Sequence, residues 1–143
     1  MKKMDRRELR ELILRGITTE ELKAYDYSDI TDMSYMFTHC MSLTSIPWLD
    51  IANVTNTSFM FYGCKLLTSI PELNTSKVVN MNFMLAECFS LISIPELYIS
   101  NTTDIYHMLE NCYNIEDCFY NNRINYNEIN SVKLKQNYPE YFI

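Results

Sequence analysis

Glycine is almost absent from this chain. Gly16 and Gly63 are the only two among 143 residues. A glycine-rich loop that cradles a phosphate or a dinucleotide needs several positions free of a Cβ, and two isolated glycines cannot build one. Long apolar runs are also missing. No stretch approaches the about 18 apolar residues that cross a bilayer as a helix. Residues 1–15 hold Lys2, Lys3, Arg6, Arg7, Arg10 and Arg15 without the apolar segment of a secretion signal. These absences predict a cytoplasmic protein with no membrane partner. Basic residues are scarce beyond the first segment. Between 26 and 121, two lysines, Lys65 and Lys77, stand against eleven acidic residues, a net of −9 in a chain whose total is −6. Nucleic acid is held by rows of lysine and arginine on phosphates, so this stretch is not expected to bind it. A basic protein surface would suit the charge, and ordinary solubility is its plainer reading. No nucleophile–base pair or paired-carboxylate motif is visible. The expectation is therefore no catalytic residues, no cofactor and no enzyme.

What the sequence does have is a repeat. Cys40, Cys64, Cys88 and Cys112 are each 24 residues apart, as are Met36, Met60, Met84 and Met108, and Leu43, Leu67, Leu91 and Ile115. A fixed period in this range is the mark of a solenoid. The units run 26–49, 50–73, 74–97 and 98–121 without gaps. Their common pattern is D-x-S-x-V-T-N-M-S-x-M-F-x-x-C-x-S-L-T-S-I-P-x-L. The fourth unit departs most, with Thr102 in the column of Ile30, Val54 and Val78, and Cys118-Phe119 in place of Ile-Pro. Residues 1–25 are read as a helical N-terminal cap. Residues 122–143, where Tyr126, Ile129 and Val132 continue the apolar phase, are read as a degenerate C-terminal unit or cap. The whole is one domain, since terminal units must close an open core.

Within each unit Met33, Met36, Phe37 and Cys40 fall at i, i+3, i+4 and i+7, the spacing of one helical face. The preceding Thr31-Asp32 is N-cap chemistry. Leu-Thr-Ser-Ile-Pro is short and β-branched, which predicts a brief strand, and D-x-S supplies a turn. The expected fold is an α/β repeat solenoid: a leucine-rich-repeat-like coil of one short strand and one short helix per 24 residues, with strands stacked about 4.8 Å apart. In the cap, Asp5 with Glu8 and Thr18 with Glu21 spell two capping boxes. Met4/Leu9 and Ile17/Leu22 are their hydrophobic staples, and Gly16 is the stop between them.

Segments such as ITDMSYMFTHCMSLTSIPWL and KVVNMNFMLAECFSLISIPEL resemble the BspA-like bacterial leucine-rich repeats found in mycoplasma and other low-GC surface proteins. The resemblance covers about residues 26–121. It implies a right-handed solenoid and a protein-binding role, often at a cell surface, and it supplies no catalytic residues. The chain departs from those surface members in lacking a secretion signal.

The cysteine and methionine columns read as reduced core. His39 and His107 fall in different columns and no C-x2-C pair exists, so no metal is expected. The N-x-S/T sequons at Asn53, Asn56, Asn74 and Asn101 follow from the turn chemistry of the repeat. Candidate partner-binding residues are those that vary while the framework holds. One column reads Trp48, Glu72, Glu96, Tyr120, two amphipathic aromatics around two acids beside the expected strand. On the helix side, Tyr35 heads a column with Phe59, Phe83 and His107, whose rings either face out or pack between coils. Phe89 lies in the column Met41, Lys65, Phe89, Tyr113. Large aromatics of this kind anchor interfaces. The functional expectation is a monomeric intracellular adaptor or inhibitor that grips a protein, of basic character, by one solenoid face. A small, acidic, Asn-rich chain of this kind suits a phage or mobile-element protein directed at a host or defence factor. The alternative is a structural protein that self-associates through its caps or stacked coils, or a fragment-like relative of bacterial surface adhesins.

Overall fold

The structure is a computed structural model and describes residues 1–95, 97–100 and 103–115. Glu96, Thr102, Cys118, Phe119, Tyr120 and the segment 122–143 lie outside the described residues. The chain opens with strand β1 (Lys2–Lys3), helix α1 (Arg6–Leu14), helix α2 (Thr19–Leu22) and strand β2 (Tyr25–Asp26). β1 and β2 pair in parallel, Lys2 opposite Tyr25 and Lys3 opposite Asp26.

Both helices start as their sequences dictate. The Asp5 carboxylate accepts the Glu8 N–H and the Glu8 carboxylate accepts the Asp5 N–H, each at 2.9 Å. Thr18 and Glu21 make the same reciprocal pair at 3.2 and 2.9 Å. These bonds satisfy orphan donors of the first turn. α1 ends on Gly16 at φ +89°, with Gly16 N–H bonded to Ile13 O and Ile17 N–H to Leu12 O. This is the 5→2 and 6→1 pattern that needs a left-handed residue after the helix. Leu9, Ile13 and Leu22 turn inward and join Met4 against the first coil.

From residue 26 on, the units lie parallel to one another. Met33, Tyr35, Phe37 and His39 donate N–H bonds of 2.9, 3.0, 2.8 and 2.8 Å to the carbonyls of Asn56, Ser58, Met60 and Tyr62. The same four positions of the second unit bond Asn80, Asn82, Met84 and Ala86, and those of the third bond Asp104, Tyr106, Met108 and Glu110. Parallel bridges join Asp32 to Asn56, Asn56 to Asn80 and Asn80 to Asp104. At each of these four residues the side chain accepts the N–H two residues on, at 2.8, 2.9, 3.0 and 3.2 Å. This Asx turn explains why the column is held by Asp and Asn.

The expected helix of each unit is absent. Among the described residues both helices precede residue 26, and 33–40 form consecutive turns. Met36, Thr38 and Cys40 bond back three residues, to Met33, Tyr35 and Phe37, while the alternate donors leave the unit for its neighbour. A helix would keep every N–H inside one unit. A two-turn helix is marginal in isolation, whereas alternation ties each unit to the next by four bonds. The chain achieves it by placing two residues per unit at positive φ: Tyr35 and His39, Phe59 and Gly63, Phe83 and Glu87, His107 and Asn111. Seven of these eight carry a Cβ, each at a cost of about 1–2 kcal/mol that the ladder must offset.

Among the described residues the first three units show no strand at Leu-Thr-Ser-Ile-Pro either. Along Leu-Thr-Ser-Ile-Pro, Thr68 N–H bonds Thr44 O at 3.2 Å and Ile92 N–H bonds Thr68 O at 3.1 Å. The ladder thus runs along the half read as helical. Between the two halves the apolar columns are buried: Met36, Met60, Met84 and Met108; Phe37, Phe61, Leu85 and Leu109; Leu43, Leu67, Leu91 and Ile115.

Candidate functional site

The left-handed residues set up the main surface feature. Tyr35, Phe59 and Phe83 stack at centroid separations of 4.7 and 4.7 Å, with interplanar angles of 4° and 14°. His107 continues the column at 5.0 Å and 16°. The spacing is that of adjacent hydrogen-bonded chains, so the backbone ladder brings the rings into register. The rings both pack between coils and face out. Tyr35 is 57% exposed, and Phe59, Phe83 and His107 are half-buried.

Three further rings widen this column into a patch. Tyr62 meets Phe59 edge-on at 5.5 Å, and His39 meets Tyr62 at 5.2 Å. Tyr106, 53% exposed, stands edge-on to Phe83 at 5.7 Å and to His107 at 3.8 Å. His39 lies over Gly63, where an added Cβ would collide with its ring. Acidic groups border the patch. Glu110 Oε2 is 3.1 Å from His107 Nδ1. Desolvation, and then the charge of Glu87, push the Tyr62 phenol above its ordinary value. Tyr62, His39 and Tyr106 were invisible as sites in the sequence, because none belongs to an aromatic column.

The other candidates separate from this patch. Phe89 stacks on Tyr113 at 6.0 Å, and Lys65 Nζ sits 5.5 Å from its ring centre. Phe89 thus has its own cation–π and ring partners. Trp48 sits at the junction with the cap, its backbone N–H donating to Thr19 Oγ1 at 3.1 Å. Glu72 is exposed. The remaining members of that column, Glu96 and Tyr120, lie outside the described residues.

The cysteine column has a structural role. Cys64, Cys88 and Cys112 are buried, and their thiols donate to the carbonyls of Phe37, Phe61 and Leu85 at 3.0, 3.2 and 2.9 Å. Cysteine is small, apolar and carries a weak donor, which fits a tight column beside a carbonyl. Burial pushes the Cys64 and Cys112 thiols up to about 12 and raises that of Cys88. Cys40 differs from the expectation of one uniformly packed column. It is half-buried, and Arg10 Nη2 of helix α1 lies 3.7 Å from its sulfur. A maleimide should therefore modify Cys40 in the native protein and leave Cys64, Cys88 and Cys112 untouched until denaturation. Peptide mapping checks this, and native labelling of Cys88 at the rate of Cys40 would contradict it. Among the described residues no cluster of His, Cys, Asp or Glu could hold a metal ion. No helix among them is long and apolar enough to cross a membrane.

Residues 9–135 match the family described as "Mycoplasma protein of unknown function, DUF285". No curated protein and no solved structure matches the chain.

Proposed function

The chain belongs to the DUF285 family of Mycoplasma proteins, and we propose that it is a non-enzymatic protein-binding module, an intracellular adaptor or inhibitor that presents one face of a leucine-rich-repeat-like solenoid of the BspA-like kind. The observation that carries this reading is the ring patch. Tyr35, Phe59, Phe83 and His107 form one continuous stack, flanked by Tyr62 and Tyr106. Tyrosine and other aromatics are the residues most enriched at protein interfaces. Stacking already restricts the rotamers of these rings, so little side-chain entropy remains to be lost on association. Glu87 and Glu110 at the border favour a partner with basic groups around an apolar centre.

The test begins with capture of the partner from native host lysate and continues with affinity measurements on variants. Tyr35→Ala and Tyr106→Ala change exposed side chains and should leave the fold intact. Each should weaken binding about tenfold or more, the scale of a central aromatic anchor. Ser45→Ala, at an exposed residue outside the ring patch, should change nothing. Full affinity in both tyrosine variants would refute the assignment of this face. Light scattering after size exclusion should give a monomer; a dimer or filament would favour a self-associating structural role.

A further inference from the structure

We infer that the cleft between the N-terminal helices and the first coil is a binding site for a basic side chain, arginine or lysine, of a protein partner. The cleft has a volume of about 450 Å³, and its walls include Leu22, Tyr25, Tyr27, Trp48, Asp26 and Asp50. Trp48 is held at its edge by the bond to Thr19, yet its side chain stays open, the residue being 47% exposed. An indole face of this kind attracts cations through its quadrupole.

The charges around it are not equivalent. Asp26 is engaged: Oδ1 accepts from the Ser28 N–H and hydroxyl, Oδ2 faces Lys3 at 3.9 Å, and the α-ammonium of Met1, which also lines the cleft, acts on the same carboxylate. Lys23, also in the wall, is paired with both oxygens of Glu20 at 2.7 and 2.9 Å. Asp50 uses Oδ1 to accept the Ala52 N–H at 3.1 Å. Its Oδ2 has no partner among the described residues. The cleft therefore offers an open aromatic face beside one uncompensated carboxylate, the pairing that selects a guanidinium or ammonium over a neutral side chain.

Tyr27 adds a further polar group to the wall of the cleft. It is 8% exposed, and its hydroxyl oxygen accepts the Asp50 N–H at 3.1 Å. The hydroxyl borders the open cleft, where its proton can donate. Desolvation raises the phenol pKa, the bond from the Asp50 N–H partly offsets this and the Asp50 charge adds to it. A peptide carbonyl accompanying the basic side chain would accept from the hydroxyl. The inference shares with the proposed function only the premise of a protein partner. Its test uses short peptides, so its failure would leave the ring patch untouched.

Trp48 is the only tryptophan in the chain, so its emission reports the cleft alone. The full chain is titrated with acetyl-Gly-Arg-Gly-amide and acetyl-Gly-Lys-Gly-amide, with the Glu and norleucine peptides as controls. The expected result is a saturable change with the basic peptides, none with the Glu peptide, and affinity that falls as salt rises. Asp50→Asn keeps the acceptor for Ala52 and should weaken binding about tenfold. No saturable response to either basic peptide would overturn the inference. So would an equal response to norleucine, or undiminished affinity in a folded Asp50→Asn protein. If that variant does not fold, the salt dependence of the unaltered protein decides: affinity indifferent to ionic strength overturns the inference.

Discussion

Phe61→Ala should destabilise the protein by about 3–5 kcal/mol, the range for truncating a fully buried aromatic. Phe61 has no exposed surface and stacks on Phe37 of the preceding unit at 5.5 Å. Its carbonyl accepts the Cys64 N–H and the Cys88 thiol, and its N–H reaches Met84 O. Those backbone bonds hold the coil in place, so the chain around an alanine cannot easily collapse into the space. The cavity term then adds to the lost burial. Thermal melting should fall by roughly 10 °C or more. Phe89→Ala, at a half-buried surface ring, should cost only about 1 kcal/mol. Equal melting temperatures for the two variants would remove Phe61 from the core.

Deleting residues 1–25 should have a still larger effect, namely loss of soluble protein. Met4, Leu9, Ile13 and Leu22 belong to the same buried cluster as Ile30, Met33, Met36 and Phe37. Removing them opens the first coil to water. The segment also closes polar valences. Arg10 Nε donates to Met36 O at 2.7 Å, and Met4 N–H donates to Asp26 O at 2.9 Å. An uncapped stack presents an apolar end together with unpaired backbone groups, which invites association end to end. Arg10→Ala removes one such closure and should destabilise by about 1–3 kcal/mol without aggregation, the cost of leaving a partly buried carbonyl unpaired. If the truncated chain stayed monomeric and melted cooperatively, residues 1–25 would be an appended arm and not a cap.

The sequence carried the period, the buried columns and both capping boxes, because each rests on a local or strictly repeated rule. Leu9 and Ile13 on one face of α1, with Asp5 and Glu8 at its start, leave few alternatives. The conformation of the units was harder to read. Apolar residues at Met33, Met36, Phe37 and Cys40 mark a face repeating every three to four residues, and consecutive i→i−3 turns share that spacing with a helix. The discriminating sign lay in the column His39, Gly63, Glu87, Asn111. Histidine, glycine and asparagine are residue types that tolerate positive φ, and they have no shared reason to sit on one helical face. The column Tyr35, Phe59, Phe83, His107 hid the same conformation, because bulky rings rarely adopt it. They adopt it here where the rings stack across units. The repeat pattern places Trp48 in one column with Glu72, Glu96 and Tyr120. The bond from the Trp48 N–H to Thr19 joins it to the N-terminal segment, a contact that no repeat pattern encodes.

Photo-crosslinking of the captured partner tests the choice of face most directly. A benzoylphenylalanine placed at position 35, on the ring patch, and in a second protein at position 72, on the Trp48 column, samples the two sides with the same chemistry. The ring-patch account predicts a covalent adduct from position 35 and none from position 72. An adduct from position 72 alone would contradict it.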